Sequence, residues 1–402
     1  MKILVINAGS SSVKYQLIDM EGERLLAKGQ ADRIGIEGGT FKQKVPGKDD
    51  YKINVDMKDH SEAIRLTLDA LVSPEHGVIA SLSEISAVGH RVVHGGERFS
   101  GSVLITDDVK KSIVENSELS PLHNPANLIG IAACEKLMPG VPEVAVFDTS
   151  FHQTMPDYAY MYGLPYEYYE KYHIRRYGFH GTSHRFISLE AARMLGKSPE
   201  EVKIVTCHLG NGSSVAAVDR GRVLDTSMGM TPLEGLLMGT RCGSLDPAII
   251  PFIMKKEGLD ADAVDTLMNK RSGILGISGM TSDNRDIEEG AKNGNDRCRL
   301  IEDMIVYQLT KYIGAYAAAM GGVDAIVFAG GIGENNPSYR SRAIAKLGFL
   351  GATVDESKNM EAAHPSHEYD ISADGARVRT LVIPTNEELM IARDTSEIVA
   401  GL

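Results

Sequence analysis

The feature that most constrains the fold is an internal repeat of a strand, a small-residue turn and a second strand. The chain opens with ILVINAGSSSVKYQLID, and IVTCHLGNGSSVAAVDRG repeats the pattern near its middle. Ser11-Ser12-Val13 aligns with Ser213-Ser214-Val215, and the flanking segments are β-branched in both copies. Self-similarity of this kind is typical of a duplicated structural unit. We therefore predict two related domains, each beginning with a tight hairpin.

Short β-branched segments alternate with longer helical patterns along the 402 residues, which predicts an α/β fold with largely parallel sheets. We predict a first domain at residues 1–150 and a second at 151–384. Residues 385–402 hold one helix, too short for a domain, which we expect to return to the first. The predicted strands are 3–6, 13–18, 87–92, 143–147, 204–208, 215–219, 325–329 and 380–383. The predicted helices are 61–71, 107–115, 125–137, 183–195, 246–256, 297–320 and 387–399.

Charge and cysteine usage exclude several classes of protein. The chain has 42 Lys and Arg against 54 Asp and Glu, a net charge of −12, which argues against a nucleic-acid partner. Its four cysteines form no CxxC pair, so neither a zinc ribbon nor a disulfide framework is indicated. The first apolar run is too short for a signal peptide, and residues 313–333 resemble a helix end and a buried strand rather than a membrane span. We expect a cytoplasmic protein without a membrane partner.

The two repeated turns carry groups suited to phosphate. In the first, Gly9 is followed by three serines, then by Val13 and Lys14, so hydroxyls, backbone N–H groups and a positive charge are close together. The second, HLGNGSS at 208–214, contains Asn-Gly, the strongest hairpin dipeptide, so an ordinary hairpin is the alternative for each. The presence of such a turn in both related domains favours phosphate binding.

A third glycine-rich turn, GGIGEN at 330–335, follows the predicted strand 325–329. It lacks the GxGxxG spacing with a later acidic residue, which disfavours a nicotinamide dehydrogenase. The sequence also contains no GxxxxGK[ST] run, which excludes a P-loop. A flat adenine or ribose could lie against Gly331, where no side chain intrudes. We therefore predict that this turn meets the nucleoside end of a nucleotide.

Taken together, these features resemble the superfamily of sugar kinases, actin and the seventy-kilodalton heat-shock chaperones. That resemblance implies two duplicated actin-like (ribonuclease H-like) domains with an active-site cleft between them. Four collinear strings resemble the acetate kinase family: NAGSSSVK at 7–14, GFHGTSH at 178–184, HLGNGSS at 208–214 and PTNEEL at 384–389. The family implies reversible Mg-ATP-dependent phosphorylation of acetate to acetyl phosphate by direct in-line transfer, in a homodimer, with Mn²⁺ as a substitute metal.

Phosphoryl transfer to a carboxylate needs cations more than a base, because carboxylates already ionise near pH 4. Arg91 ends a predicted strand and Arg241 lies among glycines. Each guanidinium could hold a carboxylate or phosphoryl group through two bonds, with a surface ion pair as the alternative. The resemblance implies that both are catalytic, that His180 stabilises the transition state, and that Asp148 belongs to the active site. We expect Asp148 to orient Arg91 or organise the metal's waters rather than abstract a proton.

The resemblance also assigns further residues by position. His180 precedes a helix whose cap we predict at Thr182 or Ser183. Supporting roles fall to Ser10, Ser12 and His123, and the metal ligands implied are Asn7 and Glu387. The implied nucleotide-binding residues are Lys14, His208, Leu209, Gly210, Asn211, Gly212, Asp283, Asn284, Arg285, Gly331, Ile332, Gly333, Glu334 and Asn335.

The implied methyl pocket is apolar throughout, and consists of Val93, Leu122, Phe179 and Pro232. Val93 leaves little room for extra carbons and favours acetate, but one methylene is worth only about 1–3 kcal/mol, so propionate or butyrate kinase activity is the alternative. An actin-like or chaperone-like ATPase, a different class, would use the same hairpins. Residues 157–177 hold eight of the 15 tyrosines, and we expect them to pack or to form a subunit interface.

Overall fold

The structure is a computed structural model that describes residues 1–121 and 123–402. Contacts divide the chain into two compact units. Unit 1 comprises Met1–Gln153 together with Asn386–Leu402, and unit 2 comprises Thr154–Thr385. Each unit is built around one mixed β-sheet.

The sheet of unit 1 has eight strands in the order β5-β4-β3-β2-β1-β6-β8-β7. The central strand β1 pairs antiparallel with β2 and parallel with β6, and β6 pairs parallel with β8. Three helices accompany it before the chain leaves the unit. The strands are β1 (Lys2–Ala8), β2 (Ser12–Asp19), β3 (Arg24–Asp32), β4 (Thr40–Lys44), β5 (Tyr51–Asn54), β6 (Ile85–Val92), β7 (Val103–Leu104) and β8 (Glu143–Phe147), and the helices are α1 (His60–Leu71), α2 (Asp107–Glu115) and α3 (Asn124–Leu137).

The sheet of unit 2 has six strands in the order β11-β10-β9-β12-β14-β13. They are β9 (Lys203–Leu209), β10 (Ser213–Asp219), β11 (Arg222–Thr226), β12 (Ala325–Ala329), β13 (Tyr369–Asp370) and β14 (Arg379–Val382). The helices of this unit are α4 (Asp157–Tyr160), α5 (Tyr166–Tyr172), α6 (Gly181–Met194), α7 (Ile249–Glu257), α8 (Ala261–Lys270), α9 (Gly273–Ser278), α10 (Asn284–Lys292), α11 (Asp296–Ala319), α12 (Gly330–Asn335), α13 (Pro337–Ala345) and α14 (Glu356–Glu361). The last helix of the chain, α15 (Glu387–Ala400), packs on β1, β6 and β8 of unit 1.

The six strands of the second sheet follow the same order and directions as six of the first sheet, which carries β4 and β5 in addition, and this shared topology confirms the duplication. In each, a first strand (β1 or β9) is flanked by an antiparallel hairpin partner and a parallel crossover strand, and a second parallel strand carries a short antiparallel edge strand. The aligned serine turns therefore occupy equivalent positions, at the end of the first strand of each sheet. This arrangement is the pair of actin-like domains that the resemblance implied.

Burial explains why the central strands were easy to predict. Every residue of β12 (AIVFA) and β8 (EVAVF) is buried, as expected for parallel strands covered on both faces. Glu143, the one charged residue of β8, is paired with the Nε2 atom of His90 at 2.7 Å. Among the described residues, no helix is long and apolar enough to cross a membrane.

Three local predictions are wrong. The turn at 330–335 is the short helix α12, and its first N–H donates to the Glu334 carboxylate 2.7 Å away. Helix α6 begins at Gly181 and its N-cap is His180, with φ of +59°, so neither Thr182 nor Ser183 is the cap. Helix α7 begins at Ile249 rather than 246, because the Asp246 carboxylate accepts the Ala248 N–H in a turn before the helix.

Candidate active site

The first serine turn joins β1 to β2, and hydrogen bonds to its backbone fix its conformation. The Gly9 N–H donates to the Ser12 carbonyl at 2.8 Å, and His60 Nε2 donates to the Gly9 carbonyl at 2.6 Å. Asn7 and Lys14 are direct cross-strand partners, so their side chains start from neighbouring positions at the mouth of this turn. Ser10 lies at its exposed tip. The predicted hairpin is therefore present, with Asn7, Ser10, Ser12 and Lys14 all on it.

Arg91, the penultimate residue of β6, is paired with Asp148 just past the end of β8. Arg91 Nε donates to Asp148 Oδ1 at 3.0 Å and Nη2 donates to Oδ2 at 2.7 Å. The Asp148 carboxylate, 2% exposed, raises the pKa of Arg91 well above its usual range. The strands β6 and β8 are parallel neighbours, so their carboxyl ends bring the two side chains together. This contact places Asp148 where it can orient Arg91, one of the two roles that we expect for it.

Glu387 opens α15 on the same side of unit 1. Burial raises the pKa of its carboxyl, while the positive charges of Arg91 and Lys14 act in the opposite direction. The N-cap of α15 is Asn386, whose side chain accepts the Leu389 N–H at 3.0 Å. Glu387 is therefore a partly buried carboxylate near two cations, Arg91 and Lys14, and Lys14 is the cross-strand partner of Asn7.

The predicted methyl-pocket residues are distributed over both units. Val93 is buried directly after β6, and its N–H donates to the Asn127 side chain at 3.2 Å. Phe179 is buried in unit 2 before α6, and Pro232 is half-buried in the loop after β11. Leu122 lies outside the described residues. His123, half-buried, is the N-cap of α3 and accepts the Asn127 N–H at its carbonyl.

In unit 2, His180 and Arg241 lie on either side of the second turn. A Cβ atom placed on Gly212 would be 3.5 Å from His180 Nε2 and 3.6 Å from Arg241 Nη1. The other ring nitrogen of His180, Nδ1, is 2.9 Å from the Ser214 hydroxyl, and the His208 ring lies against the His180 ring with centroids 4.3 Å apart. The predicted residues His180, His208, Gly212 and Arg241 thus form one cluster.

Arg241 differs from Arg91 in its partners. Its Nη1 group donates to the Pro232 carbonyl at 2.9 Å, and among the residues that the structure describes no carboxylate pairs with it. Burial alone lowers the pKa of this guanidinium, the reverse of the effect of Asp148 on Arg91. Arg241 is consequently a partly desolvated cation that has no counter-ion among the described residues.

A cavity of about 850 Å³ opens beside this cluster within unit 2. Its volume is in the range of ordinary ligand sites. Eight predicted nucleotide-binding residues line it: Gly210, Asn211, Asp283, Asn284, Arg285, Gly331, Ile332 and Asn335. Nothing lies within 4 Å of a Cβ placed on Gly331, so the wall there is open as expected. On the opposite wall, hydrogen bonding to Arg285 lowers the pKa of Asp283 to about 2.

The remaining predicted nucleotide residues lie outside the lining of this cavity. Lys14 belongs to unit 1, while His208, Leu209, Gly212 and Gly333 belong to unit 2 but do not line the cavity. The Glu334 carboxylate accepts hydrogen bonds from the N–H groups of Gly330 and Thr385, and so joins the start of α12 to the segment before α15. The lining residues that the sequence did not single out are Ile274, Ser282, Glu288, Asn336 and His364.

Three polar residues behind the histidines were also missed: Ser183, His184 and Ser214. Ser183 contacts His208 Nδ1 at 2.8 Å, and Ser214 contacts both His180 and His184. Ser183 and His184 stand inside the GFHGTSH string and Ser214 inside the repeat, so the motifs contained them. Their contacts depend on the register of β9, β10 and α6, which the sequence does not reveal.

Duplicated actin-like sheets, a glycine-serine turn in each, and a nucleotide-sized cavity beside an arginine that pairs with no carboxylate among the described residues define a nucleotide-dependent phosphotransferase. Comparison with known proteins gives the particular family. The Acetokinase family model matches residues 2–393, and the chain belongs to that family.

Individual relatives agree with this membership over their whole length. An acetate kinase of Halothermothrix orenii is 57% identical and is covered completely, by 99% of this chain. The solved structure of Porphyromonas gingivalis acetate kinase is 48% identical, with a TM-score of 0.95 and 99% of both chains covered. A propionate kinase from Francisella tularensis is 40% identical, with a TM-score of 0.91 over 99% of both chains.

Proposed function

We propose that this chain transfers the γ-phosphoryl group of ATP reversibly to acetate, giving ADP and acetyl phosphate. The observation that carries the proposal is the unpaired guanidinium of Arg241 beside His180 and Gly212, next to the cavity. A partly buried cation without a counter-ion is unfavourable until an anion binds to it. The site is therefore suited to an anionic ligand at the end of the nucleotide cavity.

We assign the binding of acetate, the phosphoryl acceptor, to Arg91. The Nε and Nη2 atoms of this guanidinium are engaged by Asp148, which leaves the Nη1 group to hold a second carboxylate. The raised pKa keeps Arg91 charged at every relevant pH. Because acetate is ionised at neutral pH, the reaction requires no general base, and Asp148 serves to fix the plane of Arg91.

Stabilisation of the transition state is assigned to unit 2. The phosphoryl group in transfer spreads negative charge over its equatorial oxygens, so catalysis is mainly positioning and charge stabilisation. Arg241 Nη1 and His180 Nε2 both face the Gly212 turn, where they would donate hydrogen bonds to those oxygens.

The family uses ATP, and a kinase implies a divalent metal. Asn7 and Glu387 supply the oxygen donors that Mg²⁺ prefers, and the partly buried Glu387 carboxylate is suited to a cation. We assign Mg²⁺ to these two residues, with Mn²⁺ as a substitute because it takes the same ligands. The metal, when bound, neutralises charge on the transferred phosphates.

The experiment that tests this function is a hydroxamate assay of the purified protein with Mg-ATP, hydroxylamine and acetate, propionate or butyrate. We expect acetyl hydroxamate to form with the highest kcat/KM, and propionate to react more weakly because Val93 narrows the pocket. A higher kcat/KM with propionate would assign the chain the activity of its Francisella relative, which is the second candidate. No hydroxamate with any of the three acids would refute the proposal.

We also propose a cytoplasmic homodimer. Tyr158, Tyr166 and Tyr172 are 80%, 62% and 51% exposed, and tyrosine is enriched in the buried centres of interfaces. All four cysteines are free thiols, which suits a reducing compartment. Light scattering should give twice the mass of 43.5 kDa, and a monomer at micromolar concentration would contradict the dimer.

A further inference from the structure

A chain of hydrogen-bonded polar side chains lies behind His180. Thr206 Oγ1 is 2.8 Å from His184 Nδ1, His184 Nε2 is 2.7 Å from Ser214 Oγ, and Ser214 Oγ is 2.9 Å from His180 Nδ1. Strand β9 supplies Thr206, helix α6 supplies His184 and strand β10 supplies Ser214. All three are 0% exposed, so bulk water does not exchange these links for others. We call these four hydrogen-bonded side chains, Thr206–His184–Ser214–His180, the relay.

Counting protons in the relay limits its neutral arrangements. Each hydroxyl and each neutral imidazole carries one transferable proton, and each of the three links uses one, so one proton is left over. It is not the Ser214 proton, because among the described residues the buried Ser214 hydroxyl has hydrogen-bond partners only in the two histidines. If Thr206 donates away from the relay, every link runs from His180 toward Thr206. If Thr206 donates to His184, every link runs toward His180, so the direction of the Thr206 hydroxyl determines where the His180 proton lies.

The distances select the second arrangement. The acceptor outside the relay is the Ala216 carbonyl, 3.4 Å from Thr206 Oγ1, whereas His184 Nδ1 is at 2.8 Å. The contact with His184 is hydrogen-bonded in either arrangement, so the choice depends on whether the Thr206 proton has an acceptor outside the relay. O–H donors form bonds at about 2.5–3.0 Å, and the Ala216 carbonyl at 3.4 Å lies beyond that range. Thr206 then donates to His184, His184 Nε2–H donates to Ser214, and the Ser214 hydroxyl donates to His180 Nδ1.

We propose that Ser214, supported by His184 and Thr206, is a positioning residue that keeps the proton of neutral His180 on Nε2. That nitrogen faces the Gly212 turn. This inference rests on the proposed function, in which His180 donates a hydrogen bond to the transferred phosphoryl group. With the relay intact, the histidine is a donor at neutral pH without having to become a cation.

The surroundings of the ring favour a neutral donor. The titratable and charged groups near His180 in unit 2 include His208, whose ring lies against it, and Arg241, whose Nη1 lies near the same Gly212 position, while His184 is linked to it through Ser214. A second positive charge beside the Arg241 guanidinium would be repelled in a partly buried site. His208 is itself oriented, because Ser183 Oγ contacts its Nδ1 atom at 2.8 Å and Thr385 Oγ1 at 2.7 Å.

The test combines histidine NMR with kinetics on matched variants. Ser214→Ala and Thr206→Val break the relay, while Ser214→Thr and Thr206→Ser keep the hydroxyl. The ¹⁵N signals of His180, assigned by their absence in His180→Asn, should show the Nε2–H tautomer in the wild type and a large Nδ1–H fraction in the two breaking variants. The hydroxyl-keeping variants should restore the wild-type tautomer.

The kinetic expectation follows from the tautomer. At pH 8, Ser214→Ala should lower kcat about 10–100-fold with KM for ATP and acetate within about twofold. Its residual kcat should rise relative to wild type at acid pH, because an imidazolium carries a proton on Nε2 whatever its partners. Thr206→Val should show the same pH dependence of kcat, although Thr206 makes no hydrogen bond to His180. If Ser214→Ala does not fold, Thr206→Val provides the test.

Two results would overturn the proposal: an Nδ1–H tautomer of His180 in the wild type, or breaking variants whose loss of kcat is the same at every pH. Failure of the proposed function is distinguishable from both. In that case the wild-type protein would phosphorylate none of the three acids, while the NMR measurement would still report the His180 tautomer.

Discussion

Asp148 and Arg91 are joined by two parallel hydrogen bonds, from Nε to Oδ1 at 3.0 Å and from Nη2 to Oδ2 at 2.7 Å. Such a pair fixes the plane of the guanidinium as well as its charge. The direction of Nη1, which we propose to hold acetate, is then set by a buried carboxylate that does not itself take a proton from the substrate.

Replacing Asp148 by Asn should therefore affect acetate more than ATP. The amide offers one acceptor oxygen instead of two, so one guanidinium bond is lost and the plane of Arg91 is no longer fixed. We expect KM for acetate to rise about tenfold, with KM for ATP within about twofold. Initial-rate kinetics measures both. Asp370→Asn, which disrupts the Asp370–Arg379 pair in unit 2, is the matched control and should leave both KM values unchanged. Equal changes in the two KM values of Asp148→Asn would refute this role.

Arg241→Gln should separate activity from stability. We expect kcat to fall at least about 100-fold, because a donor to the transferred phosphoryl group is removed. The melting temperature without ligand should stay the same or rise, because the variant no longer buries a cation without a counter-ion. Arg176→Gln is the contrasting variant: Arg176 pairs with Glu234 and donates to three carbonyls, so its loss should lower the melting temperature. A similar drop for Arg241→Gln would contradict the account of Arg241.

Gly212→Ala tests the space between His180 and Arg241. The new methyl would lie 3.5 and 3.6 Å from their nitrogens, which is ordinary contact, so the variant should fold. It would occupy the position that we assign to phosphoryl oxygens, and we expect kcat/KM for ATP to fall at least about tenfold. Gly163→Ala, where nothing lies within 4 Å of the added Cβ, is the control and should behave as wild type. An unchanged kcat/KM for ATP in Gly212→Ala would show that the phosphates bind elsewhere.

Val93→Ala tests the size of the acceptor pocket. Removing two methyl groups should make room for a longer acid and raise kcat/KM for propionate relative to acetate by about tenfold or more, since one methylene is worth about 1–3 kcal/mol. Its neighbour Val92 is fully buried in the core of unit 1, and Val92→Ala should lower stability without changing the ratio. An unchanged ratio in Val93→Ala would remove Val93 from the pocket.

The sequence predicted those parts of the fold whose pattern is local. Strands such as β8 and β12 are uniformly apolar and buried on both faces, and the serine repeat indicated the duplication. Strands β3, β4 and β5 were missed because they extend the sheet outward and alternate with charged residues such as Lys28 and Lys42. Strand β3 pairs with β2, β4 with β3 and β5 with β4, so their assignment depends on tertiary contacts.

The site was predictable in composition and less so in arrangement. The glycine-rich segment 330–335 is helical because the Glu334 carboxylate and Arg340 satisfy its backbone groups, and no propensity predicts this. The positive φ of His180 and the contacts of Ser214 follow from how α6 meets β9 and β10. Motifs thus identified the residues, while their partners required the structure.

The most direct test of the role of Arg241 in the transition state compares ligand binding to wild type and to Arg241→Gln by calorimetry. One ligand is Mg-ATP alone, and the other is Mg-ADP with acetate and a planar aluminium fluoride that mimics the phosphoryl group in transfer. We expect Arg241→Gln to weaken binding of the mimic at least about 100-fold and binding of Mg-ATP less than tenfold. Equal weakening of both ligands, or none of either, would contradict it.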